Sequence, residues 1–395
     1  MIRIAAASYQ YVMKYLSDNQ GTYLDSNQSM APFHGGKCAA YFGFAGEYDR
    51  HAFLESMKGN FRINGSSKFV NVRYHHSGEK ANDAGKLEKT DPAIEVLVSP
   101  PKSWSIAVYF AKGEEKARLN AILRAALEAA MARMEKLATA RVTTDGFTVN
   151  EQLAGISWTA FGHDSTRRGD MDIHFHAIVN KLAMGLDGQV RTIDMASTIR
   201  IQYELDAYLK TELARLGAAE GLDLRMTANG PELAQIDPSL IKAFSSARAD
   251  IEAVLKEAGL DLEHATSNQK NWANAVSRLS KIQFDEVFIE RLYRERLAGI
   301  GFDYDSIKVR AERQGYTLDA PRKAVEAVYM AMMEVHERED VIKSRHHLML
   351  LAAKYSDFSI PADDLNASID QLIASGELRW RVERNNGRIS AASET

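Results

Sequence analysis

One segment constrains this fold more than any other: Ser157–Leu182, SWTAFGHDSTRRGDMDIHFHAIVNKL. Two apolar runs flank a polar turn, the pattern of two strands paired through a connecting loop. Alternate side chains of a strand share a face, so His174 and His176 point one way and Phe175 points the other, into a core. His163 ends the preceding run. If DSTRRGDMD turns the chain back antiparallel, His163 comes beside the other two and three of the chain's 11 histidines meet on one sheet face.

Three neutral imidazoles with no fourth protein ligand leave positions open on a divalent ion, the arrangement of a catalytic rather than a structural site. An H-x-H pair alone is common on exposed strands; His163 across the turn is what gives the pair a metal-binding reading. Cys38 is the single cysteine, which excludes an internal disulfide and thiolate clusters and leaves any metal to His and carboxylate. Arg167, Arg168, Lys181, Arg191 and Lys102 lie close to the histidines in sequence, with Lys102 in the first turn of a helix, and favour an anionic substrate. The formal net charge is -4, so binding to nucleic acid requires a local basic surface rather than a basic protein.

At 395 residues and 45% hydrophobic, the chain is long enough for two or three domains. Ile2–Ala6 reads as a strand and Ser8 as the cap of a short helix carrying Tyr9, Tyr11 and Tyr15. Tyr74–Pro92 reads as a polar loop. AIEVLV is a buried strand, and SPPKSWSIAVYFA starts a helix with Ser99 as its cap and the prolines in its first turn. A longer helix follows, with Leu119, Ile122, Leu123, Leu127, Met131 and Met134 at helical spacing, a core stripe. Strand character returns over Phe147–His163 and Asp172–Leu182, and Asp187-Gly188 signals a hairpin into QVRTID. Strands of mixed direction, hairpins and helices together predict an α+β fold.

Beyond about Ala196 the pattern is helical, with Gly217 as a predicted C-cap. Between Lys343 and Arg384, two helices and a strand-like ELRWRVE suit a small winged-helix-like module. The resulting division is 1–195, 196–315 and 316–395. No apolar run reaches membrane-spanning length and the first residues lack a secretory pattern, which predicts a cytoplasmic protein without membrane insertion.

A metal-polarised phosphodiester still needs a nucleophile. The N-terminal segment offers Tyr9, Tyr11, Tyr15 and Tyr23, whose phenols need a base or metal to attack near neutrality. Tyr9 and Tyr11 read as core residues, whereas Tyr23 sits in the polar SDNQGTYLDSNQ.

Together these residues resemble the MobF class of conjugative relaxases, TraI/TrwC-like members of the HUH endonucleases. HDSTRRGDMDIHFH is similar to their histidine motif, with Met171, Asp172 and Phe175 departing from the usual Pro, Gln and Thr. EVLVSPPKS is similar to their D-L-T-F-S-A-P-K-S element and places Glu95 where an Asp usually stands. KYLSDNQGTYLD keeps the first member of each of two tyrosine pairs, Tyr15 and Tyr23. FHGGKCAAYFGF, DGQVRTID, FSSARADIE and AVSRLSKIQFD extend the likeness to about Asp305.

The resemblance implies an HUH palm with an antiparallel sheet flanked by helices, followed by a helical clamp over the DNA. It implies a divalent metal ion (Mg, Mn or Zn) on His163, His174 and His176, with Glu95 as orienting partner or base. Tyr15 would start the nick and Tyr23 complete strand transfer. Lys102, Arg167, Arg168, Lys181 and Arg191 would contact DNA. The implied partners are single-stranded DNA at a transfer origin and accessory relaxosome and secretion-coupling proteins. No G-x-x-x-x-G-K-[ST] phosphate loop occurs, so ATP is not expected as a cofactor. A rolling-circle initiator or transposase on the same scaffold, a water-using phosphodiesterase and a non-catalytic DNA-binding module are the alternatives.

Overall fold

The computed structural model describes residues 1–9, 11–12, 31–44, 47–71, 91–166, 168–227, 229–262, 264–277, 286–303, 323–337, 344–385 and 388–394. Its strands are β1 (Ile2–Ala7), β2 (Phe33–Gly35), β3 (Asn60–Phe61), β4 (Val70–Asn71), β5 (Ala93–Val98), β6 (Thr139–Thr144), β7 (Phe147–Gly155) and β8 (Trp158–Ser165). Then come β9 (Met171–Asn180), β10 (Leu182–Gly185), β11 (Val190–Thr192), β12 (Leu224–Thr227), β13 (Gly230–Leu233), β14 (Arg379–Asn385) and β15 (Arg388–Glu394).

The principal sheet runs β1-β5-β9-β8-β2, and every neighbour in it is antiparallel. Side-chain alternation splits it between two cores. Ile4, Ile94, Val96, Ala160, Ile173, Phe175 and Val179 face one side, where Trp104 and the helix Gly113–Leu137 cover them. The helical stripe from Leu119 to Met134 is buried there, each large side chain contributing roughly 1.5–3 kcal/mol. Ala93, Phe161 and Ile178 face the other side, under Phe42, Phe44, Phe53 and Phe61. A mixed α+β architecture with antiparallel sheets results. The Asp187-Gly188 hairpin forms as β10–β11 at the edge of a second sheet, ordered β11-β10-β7-β6.

Several local expectations are corrected. Phe147–His163 is not one strand: it breaks at Ile156-Ser157, and β7 and β8 join different sheets. Buried Glu135 is the reason, since its Oε1 accepts from the amides of Ile156 and Lys37, both at 2.8 Å. Ser99 is not a helix cap. The helix Lys102–Phe110 begins after Pro101, because each proline keeps the residue before it extended; the Ser99 amide donates to the Met1 carbonyl instead.

Gly217 is likewise no cap. It lies inside the helix Gln202–Ala219, and a Cβ there would stand 2.9 Å from the Trp104 ring. The region after Ala196 also holds the hairpin β12–β13, too short to show a period in sequence. It seats the Trp104 indole, which donates to the Pro231 carbonyl at 2.8 Å.

The helices Ala324–Glu337, Arg345–Tyr355 and Ala362–Ser375 precede the β14–β15 hairpin. Their apolar cluster continues into Ala207 and Tyr208 of the helix Gln202–Ala219. The seam carries polar ties: the Ala362 amide donates to Glu212 at 2.7 Å, and Lys136 pairs with Asp363 at 2.6 Å. No helix among the described residues is long and apolar enough to cross a membrane. The polar stretch Tyr74–Pro92 lies outside the described residues except for Asp91 and Pro92.

Candidate active site

Antiparallel pairing of β8 and β9 puts His163 directly opposite His174, with His176 one same-face step further along β9. The three rings form a nearly equilateral triangle: centroids are 5.2 Å apart for His163–His174, 5.1 Å for His163–His176 and 5.2 Å for His174–His176. Imidazoles bound to one tetrahedral ion at N–metal distances near 2.0–2.1 Å would have centres roughly 5.2 Å apart. The donor set and its spacing therefore fit a divalent ion. Among the described residues no group of three or more His, Cys, Asp or Glu is placed so that it could hold a metal ion as it stands, so the triangle has the donor set and the ring spacing of a ligand set without its finished donor geometry.

What lies behind the rings favours that use. His176 Nδ1 is 2.5 Å from Glu95 Oε1, and His174 Nδ1 is 2.9 Å from the Asp172 carbonyl. A proton on each Nδ1 leaves the Nε2 lone pairs for a ligand. Burial pushes the His174 imidazole below its ordinary pKa, against the opposing pull of Asp172, which keeps it neutral and able to ligate. For Glu95, burial raises the carboxyl pKa, but hydrogen bonds from His176 and Tyr11 outweigh it and hold the group below the usual carboxylate range.

The β8–β9 turn is itself anchored. Thr166 Oγ1 accepts from the amides of Arg168 at 3.2 Å and Asp170 at 3.1 Å, and Gly169 takes the left-handed backbone the turn needs, at φ +69. Asp170, 1% exposed, accepts from the Ser246 amide at 3.1 Å and from Arg296 at 2.6 Å. Arg296 also donates to the Arg168 carbonyl at 3.2 Å. The histidine hairpin is thus fastened to the helices Ser246–Glu257 and Glu286–Ala298.

The basic residues divide. Lys102 reaches the histidine end, where its ammonium pairs with Asp172 and donates to the Met171 carbonyl at 2.8 Å. Arg168 pairs with Asp250 and donates to the Ser277 carbonyl, so its charge is engaged by the helices. Lys181 follows the far end of β9, about 17 Å from His176 at strand rise. Arg191, in the β10–β11 hairpin beyond it, pairs with Asp187 at 2.5 Å. Arg167, Tyr15 and Tyr23 lie outside the described residues.

Two residues at the site escaped the sequence. Tyr11, expected in the core, is 41% exposed, and its hydroxyl donates to Glu95 Oε1 at 2.7 Å. Asp170 reads in sequence as one acid in a polar turn; only its non-local partners reveal its role.

An antiparallel sheet presents three imidazoles, backed by a carboxylate and fastened to helices, in a mixed α+β fold like that of a TrwC relaxase. The TrwC relaxase family model matches residues 5–299. The chain belongs to the TrwC relaxase family, DNA-nicking transesterases. This selects the relaxase reading over the other HUH enzymes and over a non-catalytic module.

Solved structures with the same fold include the conjugative relaxase TrwC in complex with oriT DNA in a metal-free form, at 24% identity, covering 77% of this chain and 99% of that one, TM-score 0.64. The metal-bound complex matches at 24% identity with the same coverage, 77% and 99%, and TM-score 0.63. TrwC with a 27-mer DNA comprising the recognition hairpin and the cleavage site matches at 23% identity over 77% and 99%, TM-score 0.62. No curated protein sequence matches the chain.

Proposed function

We propose that this relaxase nicks one strand at a plasmid transfer origin, with His163, His174 and His176 holding a divalent ion. The observation that carries this reading is the imidazole triangle with Glu95 behind His176, in a chain of the TrwC relaxase family. The relatives in complex with oriT DNA, one of them metal-bound, support the choice of substrate and of a metal. A bound divalent ion would polarise the scissile phosphate and stabilise charge on the departing oxygen.

The protein's part is nucleophile, orientation and grip. Tyr15 supplies the phenol oxygen that attacks phosphorus, leaving a 5′-phosphotyrosyl bond and a free 3′-hydroxyl. One phosphodiester is exchanged for another, so the strand can be religated or passed on, with Tyr23 as the second nucleophile. Glu95 acts on His176, keeping the Nδ1–H tautomer. The DNA contacts of Lys102, Arg167, Arg168, Lys181 and Arg191 belong to this proposal. So do the division at 195 and 315, the winged-helix-like class of the last module and the accessory transfer proteins. Lys102 and Arg168 would first have to leave Asp172 and Asp250.

The test is to incubate the full chain with hairpin-bearing single-stranded oligonucleotides and Mn²⁺ or Mg²⁺, then map the peptide that carries nucleotide by mass spectrometry. The adduct is expected on Tyr15, lost with Tyr15→Phe and with chelator. Cleavage that leaves no protein-bound nucleotide would show that water is the nucleophile and overturn the reading.

A further inference from the structure

Glu95 lies mid-strand on β5, opposite Ala5 of β1 and Ile178 of β9. One of its oxygens, Oε1, receives two donors from different parts of the chain, His176 Nδ1 at 2.5 Å and the Tyr11 hydroxyl at 2.7 Å. A glutamate has three side-chain torsions, so one donor at its tip leaves the carboxylate free to swing through other rotamers; a second donor from a separate element removes that freedom.

Tyr11 is built to supply the second donor. Its amide donates to Ser8 Oγ at 3.1 Å, and the next residue, Val12, is 1% exposed in the core under the sheet. The backbone at Tyr11 is therefore fixed from both sides. The ring itself stays 41% exposed, and its hydroxyl is the group that reaches the Glu95 carboxylate.

We propose that Tyr11 is a positioning residue of the histidine site: its hydroxyl locks the Glu95 carboxylate where it keeps His176 in the Nδ1–H tautomer, which leaves Nε2 as the nitrogen with the lone pair. The inference rests on the reading of the three histidines as a ligand set. It assigns Tyr11 no bond to DNA.

A double-mutant cycle on the full chain tests it, using Tyr11→Phe, Glu95→Ala and the pair. The readouts are Mn²⁺ affinity by calorimetry and the ring ¹⁵N shifts of His176 in metal-free protein. Tyr11→Phe is expected to weaken Mn²⁺ binding about threefold to tenfold, below the roughly 10- to 100-fold typical of a group touching the ligand directly. His176 should move from one tautomer toward a mixture. With Glu95→Ala already present, Tyr11→Phe should add nothing.

Three results overturn the proposal: wild-type affinity and unshifted His176 signals in Tyr11→Phe, an undiminished Tyr11→Phe loss in the Glu95→Ala background, or nucleotide mapped to Tyr11. A wild-type chain that binds no Mn²⁺ defeats the site reading and this proposal together. A wild-type chain that binds Mn²⁺ beside an unaffected Tyr11→Phe chain defeats this proposal alone.

Discussion

At the scale of single residues, neutral imidazoles recur on the face of the principal sheet that carries the triangle. His174 is kept neutral by burial. His34, on β2, is held by Thr159 Oγ1 at 2.8 Å, and burial pushes its pKa from 6.5 to about 4 against the pull of Asp49. Between those two values the unfolded chain binds the proton more readily than the folded one. Stability from a neutral His34 is therefore fully present above pH 6.5 and is lost as pH falls toward about 4. Urea midpoints measured across that window should fall for the wild type and fall less for His34→Gln. At the triangle, His163→Ala or His176→Ala should lower metal-dependent nicking by about a hundredfold or more while leaving the thermal midpoint within a few degrees; an unchanged nicking rate would remove the histidines from the chemistry.

The elements show why some of the site was legible and some was not. Period-2 alternation on β8 and β9 is a local property, so the shared face of His174 and His176 and the core position of Phe175 follow from adjacent letters. The partition of β7 from β8 does not, because it depends on buried Glu135, whose Oε1 accepts from the Lys37 and Ile156 amides. Gly217 was visible as a glycine but not as the close approach of a helix to Trp104. Gly217→Ala forces a contact at 2.9 Å and should cost about 1–3 kcal/mol, read as a lower urea midpoint; an unchanged midpoint would mean the indole has room to yield.

On the scale of the whole molecule, the histidine hairpin is held by parts distant in sequence. Asp170, nearly inaccessible, joins the turn to Ser246 and Arg296. Arg296→Met leaves that buried carboxylate without its cation and should cost about 3–5 kcal/mol. Hydrogen exchange checks this: protection should drop in the helices Ser246–Glu257 and Glu286–Ala298 before it drops in the sheet.

The amino-acid sequence alone determined the strand that carries the paired histidines, their shared face, the long core helix and the family, since each rests on spacing or on matched motifs within a short span. Tertiary structure alone decided that Tyr11 meets Glu95, that Asp170 fastens the turn, and that Lys102 and Arg168 spend their charge on Asp172 and Asp250. Those pairings join residues far apart along the chain. Which distant partner a charged or phenolic group finds is set by how the sheet and helices pack, and no local period encodes it.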